Sequence, residues 1–454
     1  MMTMELSAAA QVLKARQFGS DVVFRGVSTD TRTLSEGNLF VALRGPNFDG
    51  HNYIEQARRK GAVAAAVCHW AAENIPQIQV EDTRLALGEL AAHWRRQFDL
   101  PLVAVTGSNG KTTVKEMLAA ILRRCGHTLM TRGNFNNDIG VPHTLFNLGR
   151  EHAYAVLELG ANHPGEIAYL TGLVQPTVAL INNAAPAHLE GFGSVAGVAR
   201  AKGEVFDSAA PATICVINAD DEYAVLWRTL AGSRPVMTFG LESDADVSAS
   251  WKGDIDASEV QLHTPQGVAG ARIALPGRHN VMNALAATAA ALALGVDLDR
   301  IAQGLGDVQP VHGRWEPRPG LGGARVIDDT YNANPASLAA ALALLASADS
   351  EAWVVLGNMG ELGASSEQLH RDMGEAARRA GVRRLFTLGE LAALAADTFG
   401  KGAAVFRTVD DLVDALRSEM RRDVTLLVKG SRAMHMERVV DALRDTPVAR
   451  RGDA

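Results

Sequence analysis

Cysteine is scarce in this sequence. Its 454 residues include only Cys68, Cys125 and Cys215. These lie far apart and form no C-x-x-C pair, which excludes a disulfide framework and a cysteine-ligated zinc site. Proline is also infrequent, at 16 residues, while hydrophobic residues make up 47% of the chain and charged residues 21%. This balance excludes extensive disorder, and only the C-terminal "ARRGDA" is predicted to fray.

Long apolar runs and an excess of positive charge are missing as well. No apolar run reaches the ~18 residues of a membrane span, and the N-terminal segment lacks the apolar core of a signal peptide. The net charge is −7 and the basic residues are scattered, so the chain has no broad cationic face for nucleic acid or an anionic membrane. We therefore expect a cytoplasmic protein that holds any anionic ligand locally.

The chain is long enough for about three domains of roughly 150 residues each. Short β-branched runs alternate with alanine-rich stretches after residue 100, which predicts α/β sheets of buried parallel strands. The predicted strands lie within 101–107, 153–162, 177–185, 212–220, 324–330, 352–360, 383–390 and 424–431. A Gly- and Pro-rich segment and a differently patterned N-terminal region set the predicted domains at 1–82, 83–312 and 313–454.

The stretch "VAVTGSNGKTT" resembles a phosphate-binding loop with a shortened glycine spacing. The common G-x-x-x-x-G-K-[ST] form would place a glycine at Val105, but the upstream glycine is Gly107. A predicted strand precedes the loop and an amphipathic helix follows it. Lys111 would reach the outer phosphates, and Thr112 would bind magnesium. The predicted nucleotide loop comprises Thr106, Gly107, Ser108, Asn109, Gly110, Lys111, Thr112 and Thr113.

Three ionisable residues follow this loop at positions where a ligand could be bound. Glu158 ends a predicted buried strand, where a carboxylate is costly unless it meets a cation, and such strand ends face the ligand crevice of an open sheet. His188 follows the next strand, and Lys202 falls on a predicted helix. Taken singly, the three also fit a solvated glutamate, a loop histidine and a surface lysine.

Further polar runs occur later in the chain and near its start. Asn280 and Asn283 share one face of an alanine-rich helix, which alone also fits a capping and a surface asparagine. The run "VIDDTYNANPASLAAAL", residues 326–342, places two carboxylates and a polar loop at a strand end, which is typical of an active site. In the first domain, "VSTDTR" and "NFDGH" form polar turns that alone would be ordinary.

Together these motifs resemble the Mur ligase family. The short loop matches the family's T-G-[TS]-x-G-K-T form, and the resemblance extends along almost the whole chain. It implies a small N-terminal α/β uridine-nucleotide domain, a central P-loop ATPase domain with a mostly parallel sheet, and a C-terminal Rossmann-like domain. Within the family, residues 326–342 and "VVLGNMGELGASSEQLH" resemble the ligases that add D-alanyl-D-alanine. The D-N-P-R signature of the ligases that add the third amino acid is absent.

The resemblance implies an ATP-dependent amide ligase of peptidoglycan synthesis that joins D-alanyl-D-alanine to UDP-N-acetylmuramoyl-tripeptide through an acyl phosphate. Its cofactors would be ATP and two Mg²⁺ ions, and its partners would be these small molecules. The family counterparts of Glu158 and His188 bind magnesium, and that of Lys202 carries a carbamate made from CO₂. The resemblance assigns the remaining ATP contacts to Asn280 and Asn283 at the adenine, Arg314 at the phosphates, Asp329 at the ribose and the nearby Tyr331.

The resemblance also implies two further substrate subsites. The uridine-nucleotide substrate would contact Ser28, Thr29, Asp30, Arg32, Gly50, His51, Asn134, Asn136 and Asn137. The dipeptide would contact Asn332, Asn334 and Asn358. At Asn358 the family usually has aspartate, so this sequence lacks one charge there.

The residues alone leave two other classes of protein open. A P-loop switch or motor ATPase would need no N-terminal substrate domain, and a catalytically silent nucleotide-sugar-binding protein would not need Lys111. Folylpolyglutamate synthetase, a relative within the family, begins almost directly with the P-loop, whereas about 100 residues precede it here. We expect the ligase to act as a monomer.

Overall fold

The computed structural model describes residues 2–72 and 74–444. The predicted fraying of "ARRGDA" therefore lies outside the described residues. Three α/β units follow one another along the chain, each built on a principal sheet of five or six strands. This arrangement confirms the predicted fold class. No helix in the described ranges is long and apolar enough to cross a membrane.

The N-terminal unit is a small α/β fold. Its elements are β1 (Thr3–Glu5), α1 (Leu6–Val12), β2 (Arg16–Phe18), β3 (Val23–Arg25), β4 (Val27–Ser28), β5 (Leu39–Val41), β6 (Arg44–Gly45), β7 (Phe48–Asp49), α2 (Ile54–Arg59), β8 (Ala64–Val67) and β9 (Gln77–Gln79). The main sheet has the order β2-β9-β8-β5-β4, and only β2 runs antiparallel to its neighbour. Every residue of β8 is buried, as expected for a central strand covered on both faces.

The central unit carries a six-stranded parallel sheet and a small antiparallel sheet. Its elements are α3 (Thr83–Arg95), β10 (Leu102–Thr106), α4 (Lys111–Arg123), β11 (Thr128–Met130), α5 (Gly140–Leu145), β12 (Tyr154–Glu158), α6 (Glu166–Val174), β13 (Val178–Ile181), α7 (Leu189–Phe192), α8 (Val195–Asp207), β14 (Ile214–Asn218), α9 (Ala224–Ala231), β15 (Val236–Phe239), β16 (Ser248–Gly253), β17 (Ser258–Thr264), β18 (Gly267–Ile273), α10 (Arg278–Ala293) and α11 (Leu298–Gly306). The parallel order is β11-β12-β10-β13-β14-β15. The four predicted strands are confirmed as β10, β12, β13 and β14.

The C-terminal unit contains a second six-stranded sheet with the order β19-β20-β24-β21-β22-β23. Its elements are β19 (Glu316–Pro319), β20 (Arg325–Asp329), α12 (Pro335–Leu345), β21 (Glu351–Gly357), α13 (Ser366–Arg379), β22 (Arg384–Leu388), α14 (Glu390–Phe399), β23 (Ala403–Phe406), α15 (Val409–Glu419), β24 (Val424–Lys429) and α16 (Glu437–Ala442). The four strands predicted here are confirmed. Part of the Gly- and Pro-rich segment forms β19, an antiparallel edge strand, where proline's missing N–H is tolerated.

The hydrophobic core is continuous between the first two units. Leu6 and Phe24 belong to the same buried cluster as Leu87 of α3 and Leu170 of α6. The C-terminal unit instead has separate clusters on the two faces of its own sheet. The central sheet is therefore fixed to the N-terminal unit, and it meets the C-terminal unit across a cleft.

Candidate active site

The carboxyl ends of β10, β12 and β13 open into a cavity of about 640 Å³ that also borders the C-terminal unit. Parallel strands all end at the same edge of the sheet, which is where open α/β folds bind ligands. The predicted residues that line the cavity are Ser108, Asn109, Gly110, Lys111, Thr112, Thr113, Asn134, Asn136, Glu158, His188, Asn280, Asn283, Arg314, Asp329, Tyr331, Asn332 and Asn334. Thr106 and Gly107, at the start of the loop, are not among the lining residues.

The phosphate-loop geometry requires glycine at Gly110. This residue has φ of 81°, and an added Cβ would lie 2.2 Å from Asn283 Oδ1 and 2.4 Å from Asn182 Nδ2. Lys111 begins α4 and folds its Nζ back onto the carbonyl oxygens of Gly107 at 2.5 Å and Ser108 at 3.2 Å. Burial lowers the pKa of Lys111, while the nearby Glu158 carboxylate opposes that shift. The loop therefore holds a cation directly beside a helix N-terminus, the arrangement that binds phosphate.

Glu158 is the centre of a buried polar network. Its side chain is 3% exposed, and its two oxygens accept hydrogen bonds from Thr112 Oγ1 at 2.9 Å and Asn136 Nδ2 at 2.8 Å. Its backbone N–H donates to Thr131 Oγ1 at 3.0 Å, and the buried Lys115 donates to the Thr131 carbonyl at 2.8 Å. The predicted strand-end carboxylate is therefore aimed at the phosphate loop by neighbouring elements. Its oxygen and the Thr112 hydroxyl are the hard donors that Mg²⁺ prefers.

Lys202 is not among the residues that line the cavity. It is 1% exposed on α8, with Nζ 5.4 Å from the centroid of the Phe192 ring. Burial, with a smaller contribution from the positive charge of Lys111, lowers the pKa of Lys202 to about 7. In a large fraction of the protein molecules the Lys202 side chain is therefore a neutral amine near neutral pH, whereas an ordinary lysine is almost fully protonated there.

His188 connects the central and C-terminal units. It adopts the left-handed conformation with φ of 53°, and its Nδ1 lies 2.5 Å from Oε2 of Glu361. Glu361 is also left-handed, with φ of 61°, and its carbonyl accepts a hydrogen bond from the Leu189 N–H at 3.1 Å. Two residues with this uncommon backbone conformation therefore meet at the rim of the cavity.

The C-terminal unit touches the phosphate loop at two more points. Arg314 Nη2 donates to Thr112 Oγ1 at 3.0 Å, and its guanidinium stacks 4.2 Å from the Tyr331 ring centroid. Asn334 Nδ2 donates to Asn109 Oδ1 at 2.7 Å. The arginine is thus held over the loop that carries Lys111, so charges from both units converge on one place.

The two asparagines of α10 are buried, at 5% and 4% exposure for Asn280 and Asn283. The interpretation of a capping and a surface asparagine is therefore wrong for this pair. Asn283 accepts a hydrogen bond from Asn182 Nδ2 at 2.8 Å and donates to Asn280 Oδ1 at 3.2 Å. Asn182 was not predicted as a site residue; it lies within the predicted strand range 177–185 and directly follows the observed end of β13, so the strand-end rule could have identified it.

Lys429 is the main cavity residue that the sequence analysis missed. It ends β24, is 3% exposed, and places Nζ 2.5 Å from Asp329 Oδ2. The same Nζ donates to the Asn332 carbonyl at 3.0 Å. The side chain thus fixes both the predicted ribose-binding carboxylate and the polar loop that follows it. Its position at a strand end is the sequence signal that could have identified it.

The predicted uridine-nucleotide residues of the N-terminal unit, together with Asn137, lie outside this cavity lining. Thr29 Oγ1 lies 2.9 Å from His143 Nε2, and Asp30 pairs with the exposed Arg32 at 2.6 Å. His51 is buried, with Nδ1 2.7 Å from Asp49 and Nε2 accepting from a backbone N–H. Ser28 Oγ donates a hydrogen bond to the Asp30 carbonyl, and Asn137 Oδ1 accepts one from the Gly140 N–H. Gly50 lies so close to the Leu43 backbone that a Cβ would not fit there.

Asn358 also lies outside the cavity lining. Its Oδ1 accepts a hydrogen bond from the Ala392 N–H at 2.9 Å, in the first turn of α14. Its carbonyl accepts from the Ser431 N–H at 2.9 Å. In this structure the residue links β21, α14 and the segment after β24.

Three family models match successive parts of the chain. "Mur ligase family, catalytic domain" matches residues 23–95, "Mur ligase middle domain" matches 105–291, and "Mur ligase, glutamate ligase domain" matches 313–432. The chain belongs to the Mur ligase family. As a member of the Mur ligase family, the protein is a ligase with the family's three-domain fold.

Individual Mur ligases resemble the chain over nearly its full length. The UDP-N-acetylmuramoyl-tripeptide--D-alanyl-D-alanine ligase of Escherichia coli K12 is 44% identical, over 98% of this chain and 99% of its own. A MurF crystal structure from Acinetobacter baumannii superposes with a TM-score of 0.93 at 38% identity, covering 98% and 99% of the two chains. MurF ligase from Thermotoga maritima in complex with ADP gives a TM-score of 0.83 at 26% identity, covering 92% and 96%.

Proposed function

We propose that the protein joins D-alanyl-D-alanine to UDP-N-acetylmuramoyl-tripeptide at the expense of ATP, in cytoplasmic peptidoglycan precursor synthesis. The observation that carries this proposal is the convergence of Lys111, Arg314 and the buried Glu158–Thr112 pair on one cavity. Similarity over nearly the full length of the chain to a UDP-N-acetylmuramoyl-tripeptide--D-alanyl-D-alanine ligase and to a MurF structure supports the substrate assignment. The cytoplasmic location follows from the need for ATP and a nucleotide-linked substrate.

The reaction must activate a carboxylate, because a carboxylate is a poor acylating agent. An oxygen of the tripeptide carboxylate attacks the γ-phosphorus of ATP, the bond to the β-phosphate breaks, and an acyl phosphate and ADP form. The dipeptide amine then attacks the acyl carbon, loses a proton, and expels phosphate from a tetrahedral intermediate. Lys111 and Arg314 offset the charge that gathers on the transferred phosphoryl group.

Magnesium fits the polar network described above, since Thr112 and Glu158 offer oxygen donors beside the phosphate loop. We assign them to one Mg²⁺ ion and His188 to a second, with Lys202 contributing an oxygen ligand as a carbamate. When bound, magnesium neutralises phosphate charge. The proposal also includes Asn280 and Asn283 at the adenine and Asp329 and Tyr331 at the ribose, within the cavity that they line.

The proposal extends to a carbamate on Lys202. Nζ attacks CO₂ and loses a proton, which converts a cation into an anionic oxygen ligand, and the lowered pKa supplies the neutral amine. In NMR spectra recorded with carbon-labelled bicarbonate, we expect one carbamate carbon resonance, and the Lys202→Arg substitution should remove it. Lys115→Arg is the matched control, because Lys115 is equally buried but bonds to the Thr131 carbonyl. A resonance that survives in Lys202→Arg would refute the assignment.

The domain assignment remains part of the proposal. Residues 1–82 would bind the uridine nucleotide through the turns around Ser28 and His51, residues 83–312 would bind ATP, and residues 313–454 would bind ATP and the dipeptide. Asn332, Asn334 and Asn358 remain predicted dipeptide contacts. Closure of the cleft would shield the acyl phosphate from water.

The function is tested by phosphate release with ATP and Mg²⁺, omitting each acceptor substrate in turn. We expect release to require both the UDP-tripeptide and D-alanyl-D-alanine. Lys111→Met should lower kcat at least about 100-fold, the usual scale for losing one group that stabilises transition-state charge. Phosphate release that depends on neither the UDP-tripeptide nor D-alanyl-D-alanine would instead identify a switch or motor ATPase.

A further inference from the structure

A second polar cluster lies where the chain enters the C-terminal unit. Glu316 of β19 and Asp328 of β20 are directly opposite each other in the antiparallel pair. His312 precedes β19 and places Nδ1 3.0 Å from Glu316 Oε2 and 3.9 Å from Asp328 Oδ2. These three atoms all lie within 4.8 Å of one another. A histidine nitrogen and two carboxylate oxygens therefore converge from three chain positions.

Asp328 supplies an independent sign that a ligand belongs here. Its side chain is 1% exposed, and Oδ1 accepts from Thr330 Oγ1 at 2.6 Å and from the Thr330 N–H at 3.2 Å. Oδ2 is buried and has no hydrogen-bond partner among the described residues. A buried carboxylate oxygen without a donor is costly, so an oxygen aimed at His312 and Glu316 calls for a cation.

We propose that His312, Glu316 and Asp328 bind one divalent transition-metal ion. Zn²⁺ bonds of about 2.0–2.2 Å would place neighbouring ligand atoms roughly 3–3.5 Å apart, so small side-chain shifts suffice. The imidazole nitrogen selects for transition metals over Mg²⁺ and Ca²⁺, which favour oxygen-only sites. Two carboxylates balance the charge of the ion, and solvent can complete its coordination beside the exposed histidine.

Arg318 is compatible with this ion. Its Nη2 lies 2.7 Å from Glu316 Oε1 and 3.3 Å from His312 Nδ1. The contact with Glu316 uses Oε1, whereas the proposed ligand atom is Oε2. Metal binding replaces two contacts of His312 Nδ1, the one with Arg318 and the one with Glu316 Oε2, while the ion pair between Arg318 and Glu316 Oε1 keeps the glutamate in place.

The ion would connect residues 307–315, the linker between α11 and β19, to the sheet of the C-terminal unit. His312, Glu316 and Asp328 do not line the 640 Å³ cavity, but Arg314 and Asp329 do. Arg314 follows His312 by two residues, and Asp329 follows Asp328 directly. An ion here would therefore fix the linker relative to β20 and steady both cavity residues without joining the reaction.

The probe is Co²⁺, titrated into the full-length protein in saturating Mg²⁺, which fills the oxygen-only sites. We expect one equivalent to bind with a visible absorption band and without the sulfur charge-transfer band of a cysteine site. His312→Ala and Glu316→Gln should each weaken binding at least about tenfold, because even outer-shell changes have effects of that size. The control is His263→Ala, an exposed histidine on β17, and it should bind like the wild type.

A second arm separates this site from the proposed magnesium site. His188→Ala should leave the Co²⁺ band and affinity unchanged. The proposal is overturned if His312→Ala and Glu316→Gln both bind Co²⁺ as the wild type does, or if His188→Ala removes the band.

Discussion

At the scale of single residues, Lys202 combines burial with an unusual protonation equilibrium. Its ordinary pKa of 10.5 falls to about 7 in the folded protein, first because of burial. Between those two values the unfolded chain binds more protons than the folded one. The contribution of Lys202 to stability must therefore rise as pH increases through this window, and it is constant below it.

The pH dependence can be measured by urea unfolding at pH 7 and pH 9, without Mg²⁺ or CO₂. We expect the free energy of unfolding to gain about 2 kcal/mol more in the wild type than in Lys202→Met over this interval. The methionine keeps most of the buried volume and removes the titrating group. Equal pH slopes in the two proteins would contradict the lowered pKa of Lys202.

The sequence predicted individual site residues best where a single physical constraint, such as burial or a positive φ, restricts the residue type at that position. Glu158 at a strand end and Gly110 in the loop could be predicted because burial and φ restrict the choice. The contact between Lys429 and Asp329 could not, because the two residues are 100 positions apart and the chain between them must fold before the pair exists. Likewise, the hydrogen bond from the Asn136 amide to Glu158 joins residues that are distant in sequence and could not be predicted; the role of Asn136 at the uridine nucleotide stays a prediction.

At the scale of elements, two helices with a glycine N-cap allow backbone strain to be separated from crowding. Gly110 before α4 has φ of 81°, and Gly165 before α6 has φ of 88°. A Cβ on Gly165 meets nothing within 4 Å, whereas one on Gly110 would strike Asn283 and Asn182.

Both Gly→Ala substitutions should lose about 1–2 kcal/mol of stability from the left-handed backbone. Gly110→Ala should lose more and should also weaken ATP binding, because the new methyl group displaces the asparagines beside the phosphate loop. Thermal unfolding and calorimetric ATP titration measure the two effects. Equal losses in both variants, with ATP binding intact, would show that crowding at Gly110 is unimportant.

Element prediction succeeded for the central parallel strands of the two six-stranded sheets and missed edge strands. Strands such as β10 and β24 are buried throughout and appear as continuous apolar runs. β11 has three residues, and β16 is mostly exposed, so neither produces a strong pattern. β19 was obscured by its prolines, which an antiparallel edge position accommodates.

At the scale of the whole molecule, a few polar side-chain contacts bridge the cleft between the central and C-terminal units. Asn334 makes one of them through Nδ2, while its Oδ1 caps α12 by accepting from the Ser337 N–H at 2.8 Å. The two roles use different atoms of one side chain. Serine can keep the cap but is too short to donate to Asn109.

Asn334→Ser should therefore keep the wild-type stability and lower kcat/KM for ATP about threefold to tenfold, the equivalent of one hydrogen bond. Asn334→Ala should show the same kinetic loss and also lose about 1 kcal/mol of stability with the cap. Steady-state kinetics and urea unfolding separate the two effects. Unchanged kinetics in Asn334→Ser would show that this contact does not contribute to closure.

The whole reaction depends on ATP activating the tripeptide carboxylate as an acyl phosphate. The most direct measurement supplies UDP-tripeptide with a heavy-oxygen isotope in that carboxylate and analyses the released phosphate by mass spectrometry. We expect one labelled oxygen in each phosphate released with amide product, because the carboxylate oxygen leaves on phosphorus. Unlabelled phosphate accompanying that product would contradict this activation.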